Sequence, residues 1–121
     1  MLDKAYIEKI EKIYKDFMYV HESFTARDSK PYESFLKFSN DAMKEGSIPK
    51  MYKELIALGI ASFHNCEPCM AWHVKEALNN GATDKQVVEA IEVASEMGGG
   101  PVVARSSFVF KVLEYLKDKK K

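Results

Sequence analysis

The chain is 121 residues long and 46% apolar, enough for one domain to build a core without metals or disulfide staples. Its 18 basic and 18 acidic side chains leave no net charge, which excludes the electrostatic footprint of a nucleic-acid or membrane-surface binder and points to small-molecule or protein partners. No apolar run has the length of a signal-peptide core or a membrane span, and Asp3, Glu8 and Glu11 interrupt the N-terminal segment, so the expected setting is the cytoplasm.

From Asp3 to about His21, the residues Tyr6, Ile10, Ile13, Phe17 and Val20 recur at helical spacing with Lys and Glu between them, which predicts an amphipathic first helix. The polar stretch from Glu22 to Lys30 reads as a connection. Pro31 suits a first helical turn, and Phe35, Leu36, Phe38, Ala42 and Met43 carry a second helix to a stop at Gly46. Ser47 as N-cap, with Pro49 just inside, opens a third helix whose run from Leu55 to Ala61 is apolar on almost every side and is expected to be buried. Asn65 is expected to cap a fourth helix that carries both cysteines and ends at Asn79, Asn80 and Gly81, where glycine tolerates the left-handed conformation.

Thr83 with Gln86 forms a capping-box signature for a fifth helix carrying Val87, Val88, Ile91, Ala94 and Met97. Gly98, Gly99, Gly100 and Pro101 break it before a sixth helix with Val109, Val112, Leu113 and Leu116, and the lysine-rich stretch 117–121 reads as a solvated end. No segment has the β-branched runs of a parallel sheet and no internal repeat is present, so the expected fold class is all-α, a single-domain six-helix bundle over residues 1–121. Seven Phe and six Tyr, several of them on the first two helices, point to an apolar surface closed by self-association.

The only two cysteines, Cys66 and Cys69, stand three positions apart. A chain without an export signal does not normally keep structural disulfides in reducing cytosol, so such a pair is catalytic, redox-sensing or metal-binding. Pro68 lies between them, and proline is tolerated in a helix only near its start, which places Cys66 to Cys69 in a first turn. Free amide groups and the positive end of the helix dipole then favour thiolate over thiol relative to the reference pKa of about 8.5. The Glu67 carboxylate opposes this, with screening if it faces solvent.

Cys66, Cys69 and His73 follow i, i+3, i+7 spacing and share one helix face, where His73 can accept or relay a proton. The alternative is a histidine bonded to backbone. Glu54 lies on the stripe of Met51, Leu58 and Ala61 and is expected to point inward, where burial would raise its pKa towards neutrality and suit it to exchange protons with His73 or a thiol. The alternative is a glutamate near a helix start that complements the dipole and stays in water. His64, just before the expected cap, and Trp72, of a type that fills cores and interfaces, are weaker candidates. Cys66, Cys69, His73 and Glu54 also supply ligand types that zinc accepts, and a pair that only senses redox state is a third possibility.

Glu54, eleven residues, Cys66-Glu67-Pro68-Cys69, three residues and His73 together resemble the E-x11-C-x2-C-x3-H signature of the alkylhydroperoxidase D-like branch of the carboxymuconolactone decarboxylase family. The resemblance extends through Asn79 to Thr83, the helix from Asp84 to Met97 and the glycine-proline break, covering roughly Gly46 to Leu116. It implies an all-helical fold, assembly into trimers or hexamers, and reduction of a hydroperoxide or disulfide with electrons from a dithiol such as a lipoyl group or a thioredoxin-like protein. No cofactor or resident metal is implied. By position, Cys69 would attack the peroxide, Cys66 would resolve the sulfenic acid into a disulfide, and Glu54 and His73 would relay protons. Pro68 stands where the best-studied peroxidase members carry another histidine, and the decarboxylases that name the family lack the cysteine pair, which argues against decarboxylation.

Overall fold

The computed structural model describes residues 2–120, so Lys121 of the expected solvated end lies outside the described residues. Six helices and no strand make up these residues: α1 (Lys4–Ala26), α2 (Lys30–Met43), α3 (Lys50–His64), α4 (Glu67–Asn79), α5 (Asp84–Gly98) and α6 (Gly100–Lys119). The all-α expectation holds. The element boundaries differ from the sequence pattern at four places, each for a local reason.

Asp3 caps α1 by accepting the Ala5 amide at 3.1 Å, and the helix runs on to Ala26 through most of the polar stretch expected to be a connection. That stretch holds no Gly or Pro before Arg27, and polar composition alone does not stop a helix. The reversal is confined to Arg27, Asp28 and Ser29, with Asp28 at φ 52°. Ser29 then caps α2 through the Tyr32 amide, and Phe24 stacks on Tyr32 with centroids 4.5 Å apart, closing a helical hairpin.

α2 stops at Met43, before Gly46, and α3 starts at Lys50 with Pro49 as its N-cap residue, so Ser47 is not the cap. A residue preceding proline is held out of the helical region, which keeps Ile48 from joining α3. The carbonyls left open at the end of α2 are reached by two lysines of α3: Lys53 Nζ donates to Ala42 O at 3.0 Å and Lys44 O at 2.8 Å, and Lys50 Nζ to Met43 O at 3.5 Å.

Asn65 terminates α3 and does not open α4. It adopts the left-handed conformation at φ 59°, as asparagine does more readily than most residues, and Cys66 N–H returns to Ala61 O at 3.0 Å. The Thr83–Gln86 capping box of α5 is present in both directions, and Gly99 separates α5 from α6.

The core joins Ile10 of α1, Leu58 of α3, Met70 and Val74 of α4, Val87 and Ile91 of α5, and Phe108, Val109 and Val112 of α6. Each such side chain contributes about 1.5–3 kcal/mol when fully buried. Contrary to expectation, α3 is buried on one face only. Glu54, Leu58, Ala61 and Ser62 face inward, while Ile56, Ile60 and Phe63 are each more than half exposed and, with Tyr52, Val93 and Met97, line a groove of about 660 Å³ between α3 and α5. The apolar run reaches all round the helix, but α4 and α5 cover only part of its circumference. α2 has no buried residue.

Candidate active site

α4 begins at the cysteine motif. Pro68 occupies its first turn, where its missing amide proton costs nothing, and Cys66 is the N-cap, its Sγ accepting the Cys69 amide at 3.2 Å. This is the placement expected from Pro68. A sulfur in that position sits among unpaired amides at the positive end of the helix, which favours thiolate when the pair is reduced. Here the pair is oxidised: Cys66 and Cys69 form a disulfide with Cα atoms 5.2 Å apart. Cys69 packs against the core, and Met70 and Ala71 behind it are fully buried, so the turn is held from beneath.

Glu54 is 2% exposed and points inward from α3. Its two oxygens have separate partners: Oε1 meets His73 Nδ1 at 2.8 Å, across from α4, and Oε2 accepts from Lys50 Nζ at 2.9 Å. Burial pushes its pKa up, as expected. Hydrogen bonds from His73 and Lys50, with their charges, outweigh burial and bring it below the ordinary value of 4.5, so the expected rise towards neutrality is overturned. An ionised carboxylate only accepts, hence Nδ1 of His73 donates, and whenever the ring is neutral the lone pair is on Nε2.

The structure therefore brings Glu54 and His73 into contact and Cys66 and Cys69 into a bond, with His73 one turn beyond Cys69 on α4. His64, the last residue of α3, is exposed at the edge of the apolar groove, and Trp72 packs on Phe17 with centroids 5.2 Å apart; neither joins the others. Both Glu54 oxygens are committed, and among the described residues no three His, Cys, Asp or Glu side chains converge as a metal site. Two contributors are absent from the sequence reading. Lys50 was findable from its i, i+4 spacing to Glu54. Lys9, whose Nζ lies 3.0 Å from Glu67 Oε1, reaches across from α1 and has no local signal.

A helical bundle that presents a vicinal cysteine pair at a helix start, backed by an imidazole on the same helix and a carboxylate from the preceding one, is of the alkylhydroperoxidase D-like class. The chain belongs to the carboxymuconolactone decarboxylase family, whose sequence model matches residues 30–111. It is 38% identical over 82 residues to "Uncharacterized protein 4 in cox locus" of Paracoccus denitrificans, covering 68% of this chain and 74% of that one. Over 57 residues it is 32% identical to the alkyl hydroperoxide reductase AhpD of Corynebacterium kroppenstedtii, 47% of this chain but 33% of that longer protein. In three dimensions it is similar to a carboxymuconolactone decarboxylase family protein from Legionella pneumophila, with TM-score 0.81 and 27% identity, covering 94% of this chain and 99% of that one.

Proposed function

We propose that this chain is a thiol-dependent peroxidase or dithiol–disulfide oxidoreductase that cycles Cys66 and Cys69 between dithiol and disulfide. The observation that carries this reading is the 2.8 Å contact of Glu54 with His73 Nδ1, which leaves Nε2 of the ring free to move a proton on the helix that bears both sulfurs. Its setting is the cytoplasm, where dithiol donors abound; no helix among the described residues is long and apolar enough to cross a membrane.

In the reduced protein the Cys69 thiolate attacks one oxygen of a hydroperoxide. An S–O bond forms, the O–O bond breaks, and the alkoxide leaves as an alcohol, taking the proton that Nε2 of His73 accepted from the Cys69 thiol. Cys66, its sulfur held at the N-cap, then attacks the sulfenic sulfur; the S–S bond forms and the oxygen departs as water. An external dithiol, lipoyl-bearing or thioredoxin-like, restores both thiols and becomes a disulfide. The sum is hydroperoxide plus dithiol giving alcohol, water and disulfide. Pro68 supplies no imidazole of its own, so His73 and Glu54 are the proton handlers assigned here.

The test adds one equivalent of cumene hydroperoxide to reduced protein and titrates thiols. Both thiols are expected to disappear; Cys66→Ser accumulates a dimedone-reactive sulfenic acid at Cys69, and Cys69→Ser consumes no peroxide. Two thiols persisting in the wild type, with no turnover in the presence of dithiol donors, overturns peroxide reduction.

The same reading includes a homo-oligomer, trimeric or hexameric. It is supported by the exposed apolar α3–α5 groove and by an amphipathic α2 with no buried residue and with Phe35 and Phe38 in solvent. Light scattering on the purified protein tests it, and a monomeric mass at micromolar concentration overturns it.

A further inference from the structure

We propose that Lys50 is a positioning residue of this site: it holds the Glu54 carboxylate as an anion aimed at His73 and ties that couple to the C-terminal end of α2. In its bearing on catalysis, this rests on the proton-handling role given above to Glu54 and His73.

The geometry is specific. Lys50 Nζ is 2.9 Å from Glu54 Oε2 and 3.5 Å from Met43 O, so one ammonium spans the buried carboxylate and the last turn of α2. Lys50 is the first residue of α3, where a cation opposes the helix dipole, and it precedes Glu54 by four positions, the less favourable order for such a pair. Local helix energetics therefore do not account for a lysine there, whereas the carboxylate does. Lys50 on α3 and His73 on α4 are the charged or titratable groups acting on Glu54. Burial works towards the protonated acid, and a protonated Glu54 would offer a hydroxyl to Nδ1 and take the donor role away from the ring. With Lys50 in place the carboxylate accepts, Nδ1 donates, and Nε2 is the basic atom.

A neighbour provides the control. Lys53 also caps α2, through Ala42 O and Lys44 O, but its ammonium makes no hydrogen bond or ion pair with the Glu54 carboxylate, whose partners are Lys50 and His73. Replacing Lys53 disturbs the α2–α3 junction alone, while replacing Lys50 disturbs the junction and the carboxylate.

The experiment follows the side-chain carboxyl of Glu54 by carbon-13 NMR over pH in the full-length protein, wild type against Lys50→Met, Lys50→Arg and Lys53→Met. Lys50→Met is expected to raise the Glu54 midpoint by about one unit or more, the size expected for loss of an adjacent opposite charge. Lys50→Arg keeps most of the wild-type value, and Lys53→Met leaves it in place while lowering the melting temperature. A midpoint unmoved by Lys50→Met, or moved equally by Lys53→Met, overturns the assignment. The titration needs no peroxide turnover, so it stands apart from the enzymatic reading. A Glu54 midpoint that moves while peroxide consumption keeps its pH profile supports the positioning by Lys50 and counts against Glu54 as a proton handler.

Discussion

Lys9 on α1 lies 3.0 Å from Glu67 on α4, which sets a cation against the one carboxylate placed between the two cysteines. The negative charge that would oppose thiolate formation is thereby countered by a residue 58 positions away in sequence, since Lys9 and Glu67 meet only through the packing of α1 on α4. Both side chains are substantially open to solvent, so the pair is screened and its influence on the thiols is modest.

Lys9→Met is therefore expected to slow alkylation of the reduced cysteine pair by iodoacetamide about two- to fivefold at low ionic strength, and Glu67→Gln to accelerate it by a similar factor. The double variant returns close to wild type, and about 1 M salt compresses all the differences. Stopped-flow alkylation at neutral pH measures this. Equal rates for Lys9→Met and wild type at low salt would mean that the Glu67 charge does not reach the sulfurs.

Glu54 makes the folded protein sensitive to acid in a defined direction. Burial raises its pKa, the bonds and charges of His73 and Lys50 lower it further than burial raises it, and the folded value lies below the ordinary 4.5. A group depressed on folding stabilises the protein above its unfolded pKa, and that stabilisation is lost as pH falls through the folded value. Glu54→Gln is expected to lower stability by about 1–3 kcal/mol at pH 7, as a charge-assisted bond is lost, and the gap to wild type should narrow below about pH 4.5. Urea unfolding of both proteins across that range checks it; a gap independent of pH excludes an ionic role for Glu54.

α3 offers a direct comparison of inward and outward positions. Leu58 is fully buried and Ile60, two residues on, is 54% exposed. Leu58→Ala is expected to cost about 3–5 kcal/mol through lost burial and a residual cavity. Ile60→Ala removes little from the intramolecular core, so its effect should appear instead in the concentration dependence of unfolding, where association contributes. Denaturation at two protein concentrations separates the two. A large, concentration-independent loss for Ile60→Ala would mean that α3 is buried on both faces.

The features legible in the sequence are those governed by neighbours along the chain. Pro68 fixed the start of α4, because a missing amide proton has one tolerated place in a helix, and the Thr83–Gln86 pair marked α5 for the same kind of local reason. The inward aim of Glu54 followed from its stripe. Its ionisation did not, since that depends on Lys50 and His73 meeting opposite oxygens of one carboxylate, and His73 arrives from another helix. The extent of α1 was hidden because Glu22, Ser23 and Thr25 are polar yet helix-compatible, and a contact that stabilises this end, that of Phe24 with Tyr32, crosses a turn. The exposed half of α3 was hidden because an apolar run does not say which neighbours cover it.

The glycine break between α5 and α6 holds two residues with opposite expectations. Gly99 closes α5 by donating to Ser95 O at 2.7 Å while sitting at φ 70°, ψ −154°, a region that L residues enter only with strain. Gly100 already belongs to α6, and a Cβ on it would meet nothing. Open space surrounds Gly99 too, so crowding does not distinguish the two positions; backbone conformation does. Gly99→Ala is expected to destabilise the protein by about 1–3 kcal/mol. Gly100→Ala should be neutral or stabilising by up to about 1 kcal/mol, because alanine loses less backbone entropy in a helix. Thermal unfolding of the two variants at one protein concentration decides it. If both alanines are tolerated equally, the α5–α6 junction has rearranged to a conformation open to any residue, and the separation of the two helices at Gly99 does not require glycine.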